Sequence, residues 1–137
     1  TLGYPDRSAE RELLAGQDRR EAVARLQPVM SPAELLAAQQ AVGAVHAAPA
    51  LLDYLQDLSA ATRDGRWVVE GLRPRAGLAV LRAARARALL AQRDYVAPDD
   101  VQAILPQTIA HRLQPLPGSG RGRVEQVRAL LEAVPLP

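Results

Sequence analysis

The sequence predicts an all-α protein, a small helical bundle with at most a minimal strand or bridge near residues 67–70. Three observations carry that prediction. Apolar residues recur at spacings of three and four along most segments, the pattern of one helical face. Pro32, Pro49, Pro74 and Pro98 each stand where a helix can begin, a position proline favours because its missing N–H would be unpaired there. Trp67, Val68 and Val69 form the only β-flavoured run, too short to build a sheet. At 137 residues the chain suits one domain, and a domain of this size buries roughly two-thirds of the surface its unfolded form exposes, enough for a core without staples.

In chain order, Asp6 or Ser8 caps a first helix whose opening turn holds Glu10 and Glu12. Gly16 is its stop or kink, before a second charged stretch from Gln17 to Leu26. Ser31, Pro32 and Glu34 form a capping box, in which serine and glutamate satisfy each other's backbone N–H groups. Leu35, Ala38, Val42 and Val45 then share a face, and this helix ends near Val45. Pro49 opens the next helix, with Leu51, Leu55, Leu58 and Thr62 on one face and Leu52 beside them, ending near Arg63. Trp67 reads either as an exposed contact or as cover for the bundle.

The helix from Pro74 to about Gln92 is apolar around most of its circumference and should lie centrally. Pro98, Asp99 and Asp100 begin another helix, with acids where the dipole favours them; Val101, Ile104 and Leu105 are its apolar face. Pro106 ends or kinks it before a short segment to Leu113. Residues 114–122, QPLPGSGRG, read as a flexible loop. The last helix, about Arg123 to Ala133, buries Val124, Val127, Leu130 and Leu131, and Pro135 to Pro137 reads as a natural C-terminus.

Composition excludes several chemistries. There is no cysteine, hence no disulfide framework or thiolate metal site, and the two histidines, His46 and His111, lack HExxH spacing. All 17 basic residues are arginine. Without lysine the chain encodes neither a P-loop nor a Schiff-base nucleophile. No apolar run approaches the roughly 20 residues of a membrane span, and no signal-peptide pattern opens the chain, so the expectation is a soluble, cytoplasmic protein. Net charge is only +2 but unevenly spread: residues 1–70 carry 7 arginines against 10 acids, and residues 71–137 carry 10 against 5.

The basic half contains the most informative residue. Arg75 directly follows Pro74 and therefore lies in the first helical turn, beside the positive end of the helix dipole. A cation there is disfavoured by roughly 0.3 to 1 kcal/mol. A bound anion would reverse the sign, since helix N-termini bind phosphate and arginine grips it bidentately. Two readings fit: a phosphate-sensing arginine whose phosphate loop lies outside these residues, or an ordinary exposed arginine. At about 100° per residue Arg75, Arg82, Arg85 and Arg93 fall within a sector of roughly 80°, with Arg87 elsewhere. That stripe is either a solvated face or one turned toward nucleotide or a neighbouring subunit.

The words GYP at 3–5, LLDYL at 51–55, RPRAGLAVLRAARARALL at 73–90, RDYVAPDDVQAI at 93–104 and HRL at 111–113, in this order and spacing, resemble the C-terminal part of a MoxR-type AAA+ ATPase. The resemblance covers nearly the whole chain. It implies an AAA+ lid, with residues 1–7 as the hinge from a core absent here and residues 8–137 as the lid domain. It implies that the core holds the Walker motifs and arginine finger, and that the parent enzyme uses ATP and Mg2+. The fragment alone is then expected to be inactive and to bind neither.

By the same resemblance Arg75 matches the second sensor, which reaches the γ-phosphate. Relatives usually have serine where Arg73 stands, so Arg73 is open between a second phosphate contact, a subunit contact and a solvated side chain. Tyr4, at the hinge, is a weaker candidate for contact with adenine. The partners implied are the chain's own core, neighbouring subunits of a ring, and a client protein, in such families often one with a von Willebrand A domain.

Tyr54 and Tyr95 read as packed aromatics with a polar tip. His46 and His111 read as helix-end or interhelical hydrogen-bond partners. Two rival functions remain. A helical nucleic-acid-binding module is suggested by the arginine stripes, but small net charge and only four aromatics argue against it, and no nucleic acid is expected. A purely structural interaction module is the other.

Overall fold

A computed structural model describes residues 3–16, 23–65, 68, 71–114, 117–118, 120 and 122–137. Six α-helices are found among them: α1 (Arg7–Ala15), α2 (Pro32–Ala44), α3 (Pro49–Ala61), α4 (Pro74–Leu90), α5 (Pro98–Ile109) and α6 (Arg123–Ala133), with a 3-10 turn at Ala110–Arg112. The all-α class holds: Val68 and the pair His46 and Tyr95 form isolated bridges, and no described residue belongs to a longer strand. Trp67, most of the Gln17 to Leu26 stretch and part of the 114–122 loop lie outside the described residues. Among the described residues no helix is long and apolar enough to cross a membrane.

The chain divides into two compact units, Thr1–Leu35 and Leu36–Pro137. In the first, Asp6 is the cap of α1, its carboxylate accepting from Ala9 N at 2.8 Å and Ser8 Oγ at 2.6 Å. The Ala9 amide, then Ser8, holds the Asp6 carboxyl below its ordinary range. Only Glu10 stands in the first turn; Glu12 falls beyond it because the helix starts at Arg7. α1 stops before Gly16 and buries no residue. The expected capping box opens α2, with Ser31 N donating to Glu34 Oε2 at 2.7 Å and Glu34 N to Ser31 Oγ at 3.2 Å.

The second unit contains the core. α2 ends at Ala44, and of its expected face only Val45, just past its end, is buried; Leu35, in the other unit, is exposed. α3 buries Leu51, Tyr54, Leu55 and Leu58, followed by Thr62, while Leu52 is exposed rather than part of the face. α4 is central as expected. Its buried residues, Ala76, Val80, Ala84 and Ala88, form a narrow row of small side chains at spacing four, which lets neighbouring helices approach closely. α5 answers with Val101, Leu105 and Ile109, and α6 with Gln126, Val127 and Leu130. Val124 is exposed and Leu131 only partly buried, so two of the four residues expected inside α6 are not in the core.

Pro106 neither ends nor visibly divides α5, which continues through it to Ile109. Proline inside a helix costs about 3 kcal/mol. Burial of Leu105 and Ile109 on either side offsets this, each side chain contributing roughly 1.5–3 kcal/mol. α4, in turn, stops two residues earlier than its composition suggests. Gln92 takes a left-handed φ of 57°, and the bonds Gln92 N to Leu89 O and Arg93 N to Ala88 O complete a Schellman motif. That reversal takes Arg93 off the arginine stripe.

Candidate functional site

The approach to Arg75 is fixed by the end of α3. Thr62 is 1% exposed; its hydroxyl donates to Ser59 O at 2.7 Å and accepts from Leu72 N at 2.9 Å. Arg63 Nε donates to Leu72 O at 3.1 Å, so both backbone groups of buried Leu72 are held. Between them Gly71 lies so close to the α3 terminus that a Cβ would stand 2.9 Å from both Thr62 O and Arg63 Cα. Only glycine allows that approach. The chain then enters α4 through Arg73, whose extended backbone occupies the cap position without a side-chain cap, as expected of arginine there. Ala76 N bonds to Arg73 O at 2.8 Å.

Arg75 is exposed in this uncapped first turn, and no acid stands in the turn to balance it. It lines a cleft of about 360 Å³ with Gly71, Leu72, Arg73, Ala76 and Arg112. The cleft thus brings together two of the candidates read from sequence, Arg73 and Arg75, and adds Arg112, which the sequence reading quoted only within the HRL word and gave no role. Tyr4, the third candidate, belongs to the first unit, where its side chain is fully exposed. Among the described residues no acidic side chain lines the cleft, and no group of three or more His, Asp or Glu side chains could hold a metal ion.

The signal for Arg112 lies in element lengths. α4 and α5 are joined by seven residues and pack along each other, so they form an αα-hairpin. Seventeen residues of α4 span about 25 Å, and the twelve of α5 plus three of the 3-10 turn span about 24 Å. The returning arm therefore ends level with the start of the outgoing one. Had α5 ended at Pro106, Arg112 would not be assured of that position.

Opposite charge is concentrated at the other end of the hairpin. Asp100, 1% exposed, accepts from Arg93 through both oxygens at 2.6 and 2.7 Å, from Ala97 N at 2.9 Å, and stands 3.3 Å from Arg87 Nε. The Arg93 hydrogen bonds hold its carboxyl below the usual aspartate range against the opposing effect of burial, with the Ala97 amide assisting. The same pairing raises the Arg93 pKa. Sequence reading saw Asp100 only as a first-turn acid and Arg93 as part of the stripe; in the fold they pair, with Asp100 buried and Arg93 partly exposed. Tyr95 is half-exposed rather than packed, its ring 5.6 Å below the Arg93 guanidinium.

Of the rest of the stripe, Arg82 is exposed beside a groove formed with Gln39, Val42, Ala79, Ala83 and Ala86, whereas Arg85 is partly buried. His46 acts through its backbone, with His46 N to Asp94 O at 2.7 Å and Val96 N to His46 O at 2.9 Å. His111 accepts from Arg112 Nε at 3.2 Å. Tyr54 is buried as expected, but its hydroxyl finds no partner among the described residues.

Residues 60–133 match the AAA lid domain family. Over 99% of its length the chain is 32% identical to the uncharacterized protein YeaC of Bacillus subtilis, covering 43% of that protein. It is 34% identical to the chaperone MoxR1 of Mycobacterium tuberculosis over 82% of the chain and 32% of the relative. It is 40% identical to the protein MoxR of Methylorubrum extorquens over 53% and 22%. The crystal structure of a candidate ATPase from Cytophaga hutchinsonii superposes with a TM-score of 0.79 at 23% identity, over 99% of the chain and 45% of that protein, and shows the same fold. The chain spans less than half the length of each of these proteins.

Proposed function

The chain belongs to the AAA lid domain family, as the lid of a MoxR-type AAA+ ATPase, and from that premise we propose that it carries the second sensor of the parent enzyme in Arg75. One observation carries the reading. Arg75 is exposed in a first turn that lacks both a side-chain cap and an acid, on a cleft that no acid lines among the described residues. A phosphate there would satisfy both the guanidinium and the free amides of the turn. The core, outside this chain, would provide the phosphate loop and the carboxylates for Mg2+, and the lid provides the cation that responds to the terminal phosphate.

Coupling then follows from differential contact. ATP in the core favours the lid position in which Arg75 meets the γ-phosphate, and hydrolysis removes that contact, so the lid population shifts about a hinge near Pro5. Tyr4 is fully exposed and available to cover adenine at that hinge. Arg73 lines the same cleft. Transmitted around a ring of subunits, the motion would drive chaperone-like remodelling of a client protein, in keeping with the name of the mycobacterial relative.

The test is Arg75→Ala in the full-length protein. Hydrolysis of ATP should fall roughly tenfold or more, about 1.4 kcal/mol of lost transition-state stabilisation, with the lid still folded. Unchanged ATPase kinetics together with unchanged assembly would refute the role. The lid alone should bind ATP weakly or not at all, and micromolar affinity without the core would contradict the reading.

A further inference from the structure

We propose that Arg112 acts with Arg75 on their shared cleft, so that the terminal phosphate of a nucleoside triphosphate is gripped from two elements at once, the start of α4 and the 3-10 turn after α5. The proposal rests on the reading of Arg75 as the nucleotide-facing arginine and extends it to a residue in a different element, 37 positions later in the chain.

Three features of the fold support it. The first is the hairpin geometry, which returns residues 110–112 to the level of residues 74–76, so that Arg112 lines the same cleft as Arg75. The turn is anchored: Ala110 and Leu113 are buried on either side of Arg112, and Leu113 N bonds to Ile109 O and Ala110 O. Arg112 is therefore delivered by a held backbone.

The second feature is charge. The guanidinium groups of Arg75 and Arg112 on one small cleft repel each other, and with a helix N-terminus beside them the potential is more positive still. At the other end of this hairpin Arg87 and Arg93 both pair with Asp100. Among the described residues none that lines the cleft is acidic, and no ion pair there involves Arg75 or Arg112. Among the described residues the hairpin thus holds acid at one end and none on the cleft at the other, where a bound anion would be favoured.

The third feature is chemistry. Arg112 engages its Nε with His111 Nε2, which leaves both terminal amines for a ligand. A pair of planar guanidinium forks suits the several oxygens of one phosphate group. The apolar lining is limited to Leu72 and Ala76, with no aromatic for stacking a base, and the volume lies near the lower end of ligand pockets. The cleft selects the phosphate end of a nucleotide and not its base.

The experiment compares Arg75→Ala, Arg112→Ala, Arg112→Lys and the Arg75→Ala/Arg112→Ala double variant in the full-length protein, by ATPase kcat/KM and thermal unfolding. Arg112 is exposed, so the melting temperature should stay within a few degrees. Arg112→Ala should lower kcat/KM about tenfold, and Arg112→Lys, which keeps the charge and the stem but not the fork, should recover only part. The double variant should lose less than the product of the single losses, because both groups hold one phosphate.

Full activity of Arg112→Ala beside an impaired Arg75→Ala overturns this proposal and leaves the sensor reading standing. Full activity of both overturns both. Loss in Arg112→Ala with Arg75→Ala intact, or losses that multiply independently, overturns the shared grip. A loss of activity in Arg112→Ala that follows a large fall in melting temperature, with Arg112→Lys fully active and fully stable, assigns Arg112 to stability and likewise overturns it.

Discussion

Replacing Asp100 by alanine removes a buried carboxylate that serves three donors. The bidentate Arg93 pair is the largest contribution, because its acceptor is 1% exposed and both oxygens are engaged at 2.6 and 2.7 Å. Breaking such a pair costs about 3–5 kcal/mol when both partners are buried. The Arg93 side chain keeps 28% exposure and can recruit water once abandoned, which puts the expected cost near the lower end. Loss of the bond from Ala97 N at the start of α5 adds about 1 kcal/mol, and Arg87, 52% exposed, adds little. The sum is about 4 kcal/mol, or a fall in melting temperature of roughly 14 °C.

Urea unfolding followed by circular dichroism measures this in Asp100→Ala and Asp100→Asn; asparagine keeps an acceptor for Ala97 and should lose about half as much. The pH dependence follows from the depressed folded-state pKa of Asp100. The contribution is complete at neutral pH and is lost as the pH falls below the unfolded aspartate value, about 3.9, through the folded one. The gap between the parent chain and Asp100→Asn should therefore close in acid. A loss below about 1 kcal/mol in Asp100→Ala, or a gap that persists undiminished in acid, would refute the buried-pair argument.

Two substitutions test how the approach to Arg75 is held. Gly71→Ala should destabilise by about 1–3 kcal/mol, since the new Cβ meets the backbone of Thr62 and Arg63, and it should weaken ATPase activity of the full-length protein by displacing Arg75. Thr62→Val, nearly isosteric, strands the buried Leu72 N–H and should cost about 1–3 kcal/mol in urea unfolding; a neutral result would mean that the hydroxyl does not hold the loop. Gln92→Gly should stabilise by roughly 0.5–1 kcal/mol by relieving a left-handed φ, and a loss of stability would show that the Gln92 side chain compensates for the strain.

The elements were largely legible in the sequence because each helix start is a local event. Ser31 with Glu34, Pro49, Pro74 and Pro98 mark their helices through bonds and dihedrals within four residues, and the structure has helices at all of them. Arg75 was legible for the same reason: its conflict with the helix dipole depends only on its position after Pro74. Burial within each helix was less legible. Leu52 and Val124 satisfy the apolar periodicity as well as their buried neighbours do, and only the placement of adjoining helices leaves them outside.

The sequence by itself determined an all-α chain, a lysine-free surface that cannot hold a P-loop, and an arginine placed where a helix disfavours one. Tertiary structure decided what meets that arginine. Whether α5 survives Pro106, whether Gln92 turns Arg93 away from the stripe, and whether Arg112 arrives beside Arg75 all depend on burial and on matched helix lengths across a hairpin. The physical reason is range. Caps and dipoles act over one turn of helix, whereas the pairing of Asp100 with Arg93 and the cleft shared by Arg75 and Arg112 exist only once α4 and α5 lie side by side.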